Sequence, residues 1–118
     1  MDISPDMLMQ AAQKVDPKRA RGELRIGDVR NTGLPEKCVD AAVNCRITRW
    51  LSPADCHQML REMQRVVRKR VIWTARVANH PHARTLELFE AALTPGWAIT
   101  RNVAGADLDY RILMVEPT

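Results

Sequence analysis

Apolar positions along the chain keep two rhythms, and the switches between them mark out three helices and five strands. Met7, Leu8, Ala11, Ala12 and Val15 recur at helical spacing behind Ser4-Pro5, a hydroxyl N-cap with proline at the first helical position. Asp16-Pro17 ends that helix, because proline pushes the residue before it out of the α region. After a basic loop, residues 24–28 read as a strand that stops on Asp28. A Gly/Pro-marked linker leads to a second apolar run, 39–43, which stops on Asn44. Residues 46–51 read as loop, and Ser52-Pro53 repeats the cap-plus-proline start. The helix it opens puts Cys56, Met59, Leu60, Met63, Val66 and Val67 on its buried side, with Arg61, Arg65 and Arg68 on its solvated side.

Residues 71–75, VIWTA, form a short β-branched and aromatic run that reads as a buried parallel strand. Residues 79–82 are a proline-broken loop. Leu86, Phe89 and Leu93 predict a third helix, stopped by Pro95-Gly96. Residues 97–103 alternate Trp97, Ile99, Arg101 and Val103 against Ala98, Thr100 and Asn102, as a strand with one wetter face does. A turn at 105–107 and a last strand at 110–115 complete an antiparallel pair at one sheet edge. The class is therefore α/β: a small, mostly parallel Rossmann-like sheet of about five strands with three helices and a C-terminal antiparallel pair. Ligands of open α/β sheets sit outside the carboxyl ends of the strands. That rule singles out Asp28, Val29, Asn44 and Cys45.

Composition narrows this picture only a little. At 118 residues one domain is expected. No apolar run reaches the length of a membrane span, and no charged-then-apolar leader precedes Asp2, so a cytoplasmic location is expected. Three cysteines, Cys38, Cys45 and Cys56, without C-x-x-C spacing, read as reduced packing thiols. His80 and His82 with His57 or Cys56 make a poor tetrahedral template, so no metal is expected. The net charge of +4 gathers at Lys14, Lys18, Arg19, Arg21 and Arg25, and again at Arg61, Arg65, Arg68, Lys69 and Arg70. Such clusters suit nucleic acid, but no aromatics interleave them, and a solvated helix face with its flanking loop is the favoured reading.

The stretch GDVRNTGLPEKCVDAAVN resembles the central signature of class I S-adenosylmethionine-dependent methyltransferases of the type-11-like kind. In that family a Gly-Asp-small residue ends the third strand, and Leu-Pro precedes a Phe/Val-Asp that enters the fourth. MDISPDMLMQAAQK resembles the acidic end of the second strand with its helix, and LREMQRVVRKRVIW the helix before the fifth strand. The Pro-Gly-Gly turn usual before that strand is replaced by Arg68-Lys69-Arg70. Nothing corresponds to the first strand, its glycine-rich loop and the next helix, and none of the five glycines follows an apolar strand and opens a helix.

The resemblance implies S-adenosylmethionine as cofactor. It places Asp2 at the ribose hydroxyls, Asp28 at the adenine amino group, Val29 as the neighbouring amide and apolar wall, and Asn44 where the cofactor's amino-acid end and the substrate approach. Read locally, Asp2 is a polar residue beside a helix start, Asp28 makes an Asx turn with Arg30 or Asn31, and Asn44 caps a loop. No catalytic residue is assigned, and the fold does not name the methyl acceptor. The expected function is an incomplete methyltransferase-like domain, completed by a partner chain, a homo-oligomer or a longer natural product. A non-catalytic interaction module is the alternative. Within one chain, residues 24–28 are expected to close directly onto residues 39–44 and give five strands in the order first, second, third, fifth, fourth.

Overall fold

A computed structural model describes residues 1–14, 22–45, 47, 51–76, 86–104 and 110–118. The described elements run α1 (Pro5–Lys14), β1 (Val39–Asn44), α2 (Pro53–Val66), β2 (Val67–Arg76), α3 (Leu86–Ala92), β3 (Trp97–Ala104) and β4 (Tyr110–Pro117). Both cap-plus-proline starts form. The Ser4 hydroxyl accepts from the Met7 amide at 3.3 Å, and that of Ser52 from the Asp55 amide at 3.1 Å. The expected helix end at Asp16-Pro17, the loop at 79–82, the turn at 105–107 and most of the loop at 46–51 lie outside the described residues.

The strands form one sheet in the order β1-β2-β4-β3. β1 runs parallel to β2, while β2 with β4 and β4 with β3 are antiparallel. The α/β class and the order of these four strands agree with the sequence reading. The mostly parallel, five-strand sheet does not, since antiparallel pairings outnumber the parallel one. Residues 24–28 make no ladder with β1. They hold a single parallel bridge, Ile26 to Asp2, in which the Asp2 amide donates to the Arg25 carbonyl at 3.1 Å and the Gly27 amide to the Asp2 carbonyl at 2.9 Å.

The reason lies in the linker, which α2 holds. The Glu62 carboxylate accepts from the Thr32 amide at 3.1 Å and the Thr32 hydroxyl at 2.7 Å. It also takes the Arg65 guanidinium on both oxygens, at 2.6 and 2.8 Å, and Arg65 donates onward to the Leu34 carbonyl at 2.7 Å. With the linker held along α2, residues 24–28 bridge to Asp2 and not to β1. Arg65 is thus a clamp rather than part of a solvated face, while Arg61 is exposed as expected and Arg68 pairs with Asp40 at 2.7 Å.

α2 passes into β2 with no loop: Val66 is helical and Val67 is extended (φ −99°, ψ 138°). The strand therefore begins four residues before the expected position 71. Lys37 makes the missing turn unnecessary. Its ammonium donates to the carbonyls of Gln64 at 2.7 Å and Val67 at 3.1 Å, and its amide donates to that of Arg65 at 2.9 Å. These bonds satisfy carbonyls that a helix end leaves orphaned, and Lys37 adopts a left-handed φ of 52° to reach them.

The core lies on one sheet face, under α2 and α3. Trp73, Leu113, Val71 and Val115 meet Met59, Leu60 and Phe89 there, with the Trp73 and Phe89 rings 5.9 Å apart. The α2 residues expected inside, Cys56, Met59, Leu60, Met63 and Val66, are buried, as is Val67, which opens β2 instead of extending the helix, and Gln64 joins them, bonded to Leu60, Ala92 and Thr94. In β3 the expected alternation breaks. A bulge between Ile99 and Arg101 leaves Trp97 and Ile99 packed on the core and turns Arg101 and Val103 to the opposite face.

The Arg65 guanidinium first, then the Thr32 bonds, hold the Glu62 carboxyl at about 2 against its ordinary 4.5, opposed by burial. Its contribution to stability is present above pH 4.5 and is lost as pH falls towards 2. Glu62→Ala is expected to cost about 1–3 kcal/mol at neutral pH. In denaturant titrations the gap between variant and parent should shrink as acid approaches pH 2. Lys37→Met, which keeps the aliphatic stem but removes the donors, is expected to lower the urea-derived stability by about 1–2 kcal/mol.

Candidate functional site

The chain's N-terminal residues and the end of segment 24–28 meet across a cavity of about 610 Å³. That volume is within the roughly 300–1,000 Å³ of small-molecule sites. Asp2, Asp28 and Val29 line it together, between apolar walls that include Met7, Ile47 and Leu51. The bridge between Asp2 and Ile26 sets the two carboxylates on neighbouring segments, so residues 26 apart in sequence share one site. A Cβ at Gly27 would meet the Met1 sulfur at 2.6 Å, and that flexible side chain would shift to admit it.

Each carboxylate also does local work. Asp2 Oδ1 accepts from the Ser4 amide at 2.9 Å, steadying the start of α1. Asp28 makes the Asx turn that the local reading described, with Oδ1 accepting from the Arg30 amide at 2.9 Å and its carbonyl accepting from the Asn31 amide at 3.0 Å. The sequence reading missed the Arg30 side chain. Its Nε donates to both Asp28 oxygens at 3.0 and 3.1 Å, and Nη2 donates to Oδ2 at 2.6 Å. Nη1 reaches Asp55, on the first turn of α2, at 3.2 Å. Arg30 holds the Asp28 carboxyl down at about 2, and the two carboxylates push the guanidinium pKa up. Asp28 is thus ionised throughout the neutral range, with its acceptor positions engaged by Arg30. The i, i+2 spacing of the pair was the available signal.

Asn44 lies elsewhere. It is 8% exposed and turned towards α2, its amide nitrogen 3.4 Å from the Met63 sulfur and 3.8 Å from that of Met59. Its Oδ1 has no partner among the described residues. It lines a second cavity of about 620 Å³, which shares Met1, Asp2, Met7, Val29 and Ile47 with the first. Cys45, the other strand-end residue, is exposed and also lines this cavity. Among the described residues no three His, Cys, Asp or Glu side chains are placed to hold a metal. His80 and His82 lie outside the described residues, as do Lys18, Arg19 and Arg21 of the first basic cluster. No helix among the described residues is long and apolar enough to cross a membrane.

This donor set can be tested against the implied cofactor. A nucleoside needs acceptors for its ribose hydroxyls and amino group together with apolar walls for the base, and Asp2, Val29 and Ile47 line one cavity with Asp28, whose acceptor positions Arg30 occupies. A carboxylate at the amino-acid end needs clustered donors, and neither described cavity is lined by a glycine loop at a helix start. The nucleoside half fits once Arg30 releases Asp28; the amino-acid half has Asn44 alone.

A family model described as a methyltransferase domain matches residues 1–70, the part of the chain that builds both cavities. No curated protein matches the sequence. The PH0226 protein from Pyrococcus horikoshii OT3 is similar in fold, with a TM-score of 0.80 and 14% identity over 98% of this chain and 69% of that one. Mitomycin 7-O-methyltransferase is similar with a TM-score of 0.79 and 15% identity, over 99% of this chain and 41% of that one. Magnesium protoporphyrin IX methyltransferase from Synechocystis PCC 6803, solved with bound S-adenosylmethionine, gives 0.76 and 19% identity, over 98% and 57%. The chain therefore spans between 41 and 69% of the length of these structures, and at such identities they show the fold alone. Because the family model matches more than half of its residues, the chain belongs to the methyltransferase domain family and carries the class I methyltransferase fold.

Proposed function

We propose that the chain is a methyltransferase-like domain that receives the nucleoside end of S-adenosylmethionine in the Asp2–Asp28 cavity and needs a partner to transfer a methyl group. The observation that carries this reading is the meeting of Asp2, Asp28 and Val29 around one apolar-walled cavity. Asp2 would accept from the ribose hydroxyls, and Asp28 from the adenine amino group. Val29 would pack against the base, and the Asn44 carbonyl oxygen would accept from the cofactor's ammonium group. When bound, the cofactor supplies an electrophilic methyl group. The chain's own residues orient it and keep water from the base. The amino-acid end lacks its backbone cradle, and supplying that is the role given to the partner, whether another protein or a second copy.

Arg30 is a competitor in this reading, since adenine must take acceptor positions that the guanidinium now fills. The same observation favours a second reading, in which Asp28 and Arg30 are structural and the domain is a non-catalytic interaction module.

Titrating S-adenosylmethionine into the isotopically labelled protein separates the two. Binding at roughly millimolar affinity, about 4 kcal/mol, is expected, with amide shifts confined to the loop around Asp28 and Val29. Asp28→Ala should abolish those shifts, and Arg30→Gln should tighten binding several-fold by releasing the carboxylate. An unperturbed loop at about 10 mM cofactor, or binding indifferent to Asp28→Ala, would sink the cofactor reading in favour of the interaction module.

A further inference from the structure

The Arg30–Asp28 pair decides what one end of the first cavity offers to a ligand. An ionised carboxylate has about four lone-pair positions, shared between its two oxygens. Asp28 Oδ1 accepts from the Arg30 amide at 2.9 Å and from Nε at 3.0 Å. Oδ2 accepts from Nε at 3.1 Å and from Nη2 at 2.6 Å. As folded, Asp28 has no acceptor position left for a ligand. The guanidinium is the reverse case. It carries five N–H donors in a planar fork. Among the described residues, Asp28 takes the Nε donor and one on Nη2, and Asp55 takes one on Nη1. A second N–H on each terminal nitrogen stays open, and Arg30 lines the cavity with a side chain 37% exposed.

The fork is also held still. Asp28 grips one side of it, and Asp55, on the first turn of α2, holds Nη1 at 3.2 Å. Gln58 Nε2 donates to the Arg30 carbonyl at 3.4 Å, which ties the backbone of the same residue to α2. A guanidinium fixed in this way suits two acceptors side by side and repels an amino donor. Purines differ at this edge. A 6-oxopurine shows O6 and N7, both acceptors, whereas adenine shows N7 beside its amino group.

We infer that Arg30 makes this cavity selective for 6-oxopurine nucleosides over adenine nucleosides. N7 and O6 accept from the open N–H groups of Arg30, and the base lies against Val29, Ile47 and Leu51. The ribose hydroxyls donate to Asp2, whose Oδ1 already accepts from the Ser4 amide and whose Oδ2 is engaged by no described residue. Charge separates nucleosides from nucleotides. Asp2, Asp28 and Asp55 line the cavity with a single guanidinium, so a phosphate on the sugar meets a net negative field. This inference rests on the reading of the cavity as a nucleoside site, and names the base it selects. The weak affinity proposed for S-adenosylmethionine then has a cause, since its adenine must first displace the guanidinium from Asp28.

The test titrates inosine, adenosine and 7-deazainosine into the isotopically labelled full chain. Amide shifts around Asp28 and the side-chain N–H signals of Arg30 report binding. Inosine is expected to bind with a dissociation constant of about 100 μM, and adenosine about tenfold more weakly. 7-Deazainosine keeps O6 but has C–H in place of N7, and should lose most of that advantage. Inosine 5′-monophosphate should bind more weakly than inosine. Arg30→Gln should reverse the order of inosine and adenosine, because it removes the fork and frees Asp28. Circular dichroism melting checks that the variant folds, and the 7-deaza comparison needs no variant.

Adenosine binding as tightly as inosine, 7-deazainosine matching inosine, or an unchanged order in Arg30→Gln would overturn the proposal. So would a monophosphate that binds more tightly than inosine, or no shift from any nucleoside at about 10 mM. S-adenosylmethionine is titrated in parallel. Inosine binding while S-adenosylmethionine leaves the loop unmoved keeps the 6-oxopurine site and removes the cofactor reading. S-adenosylmethionine shifting the Asp28 loop while inosine does not does the reverse.

Discussion

The arrangement of this domain turns on one carboxylate. Glu62, on α2, receives two hydrogen bonds from Thr32 and grips Arg65, which in turn holds Leu34. Through these bonds the loop that follows Asp28 is held to the helix that backs the sheet. The position of Asp28 is then fixed from two sides, by this loop and by the bridge to Asp2. The same bonds keep residues 24–28 away from β1. The cavity beside β1 lies between that strand, the held loop at Thr32 and Leu34, and Asp2.

Much of the layout was legible in the chain, and the parts that were not share a cause. α2 could be read because its caps and its apolar period are local properties of adjacent residues, and Cys56, Met59, Leu60 and Met63 are buried as their spacing requires. The C-terminal strand pair was visible for the same reason. Residues 24–28 misled because an apolar run says that a segment is extended but not what it pairs with; the linker held on α2 and the two backbone bonds with Asp2 set that. The bulge after Ile99 depends on register with β4 and the clamp role of Arg65 on a partner 31 residues away, both beyond the reach of periodicity. Asp2, named by the resemblance, and Asp28 and Val29, named also by the strand-end rule, line one cavity. Arg30, which governs how available Asp28 is, was marked only by its i, i+2 spacing from Asp28.

The two cavities divide a chemical task unevenly. One is supplied with anionic acceptors and apolar walls, a setting suited to a sugar and a base. The other holds the edge of β1, the methionines of α2 and one carbonyl oxygen without a donor. Net positive charge across the molecule lies largely on side chains outside both cavities, including Arg61, Lys69 and Arg70. The electrostatics of the first cavity are thus set by local groups, the Asp28–Arg30–Asp55 cluster with the Asp2 carboxylate beside it.

The loop-free passage from α2 to β2 has a consequence for how this sequence can vary. A residue added between Val66 and Val67 would rotate the whole helix by about 100° relative to the strand, since an α-helix turns once in 3.6 residues. Equally, a one-residue slip of β2 would exchange the face bearing Trp73 and Val71 with the face bearing Ile72. Neither change can be absorbed, because no slack segment separates the two elements. Length at this junction is therefore frozen even where residue identity is free. Drift in this chain must proceed by substitution here and by insertion elsewhere.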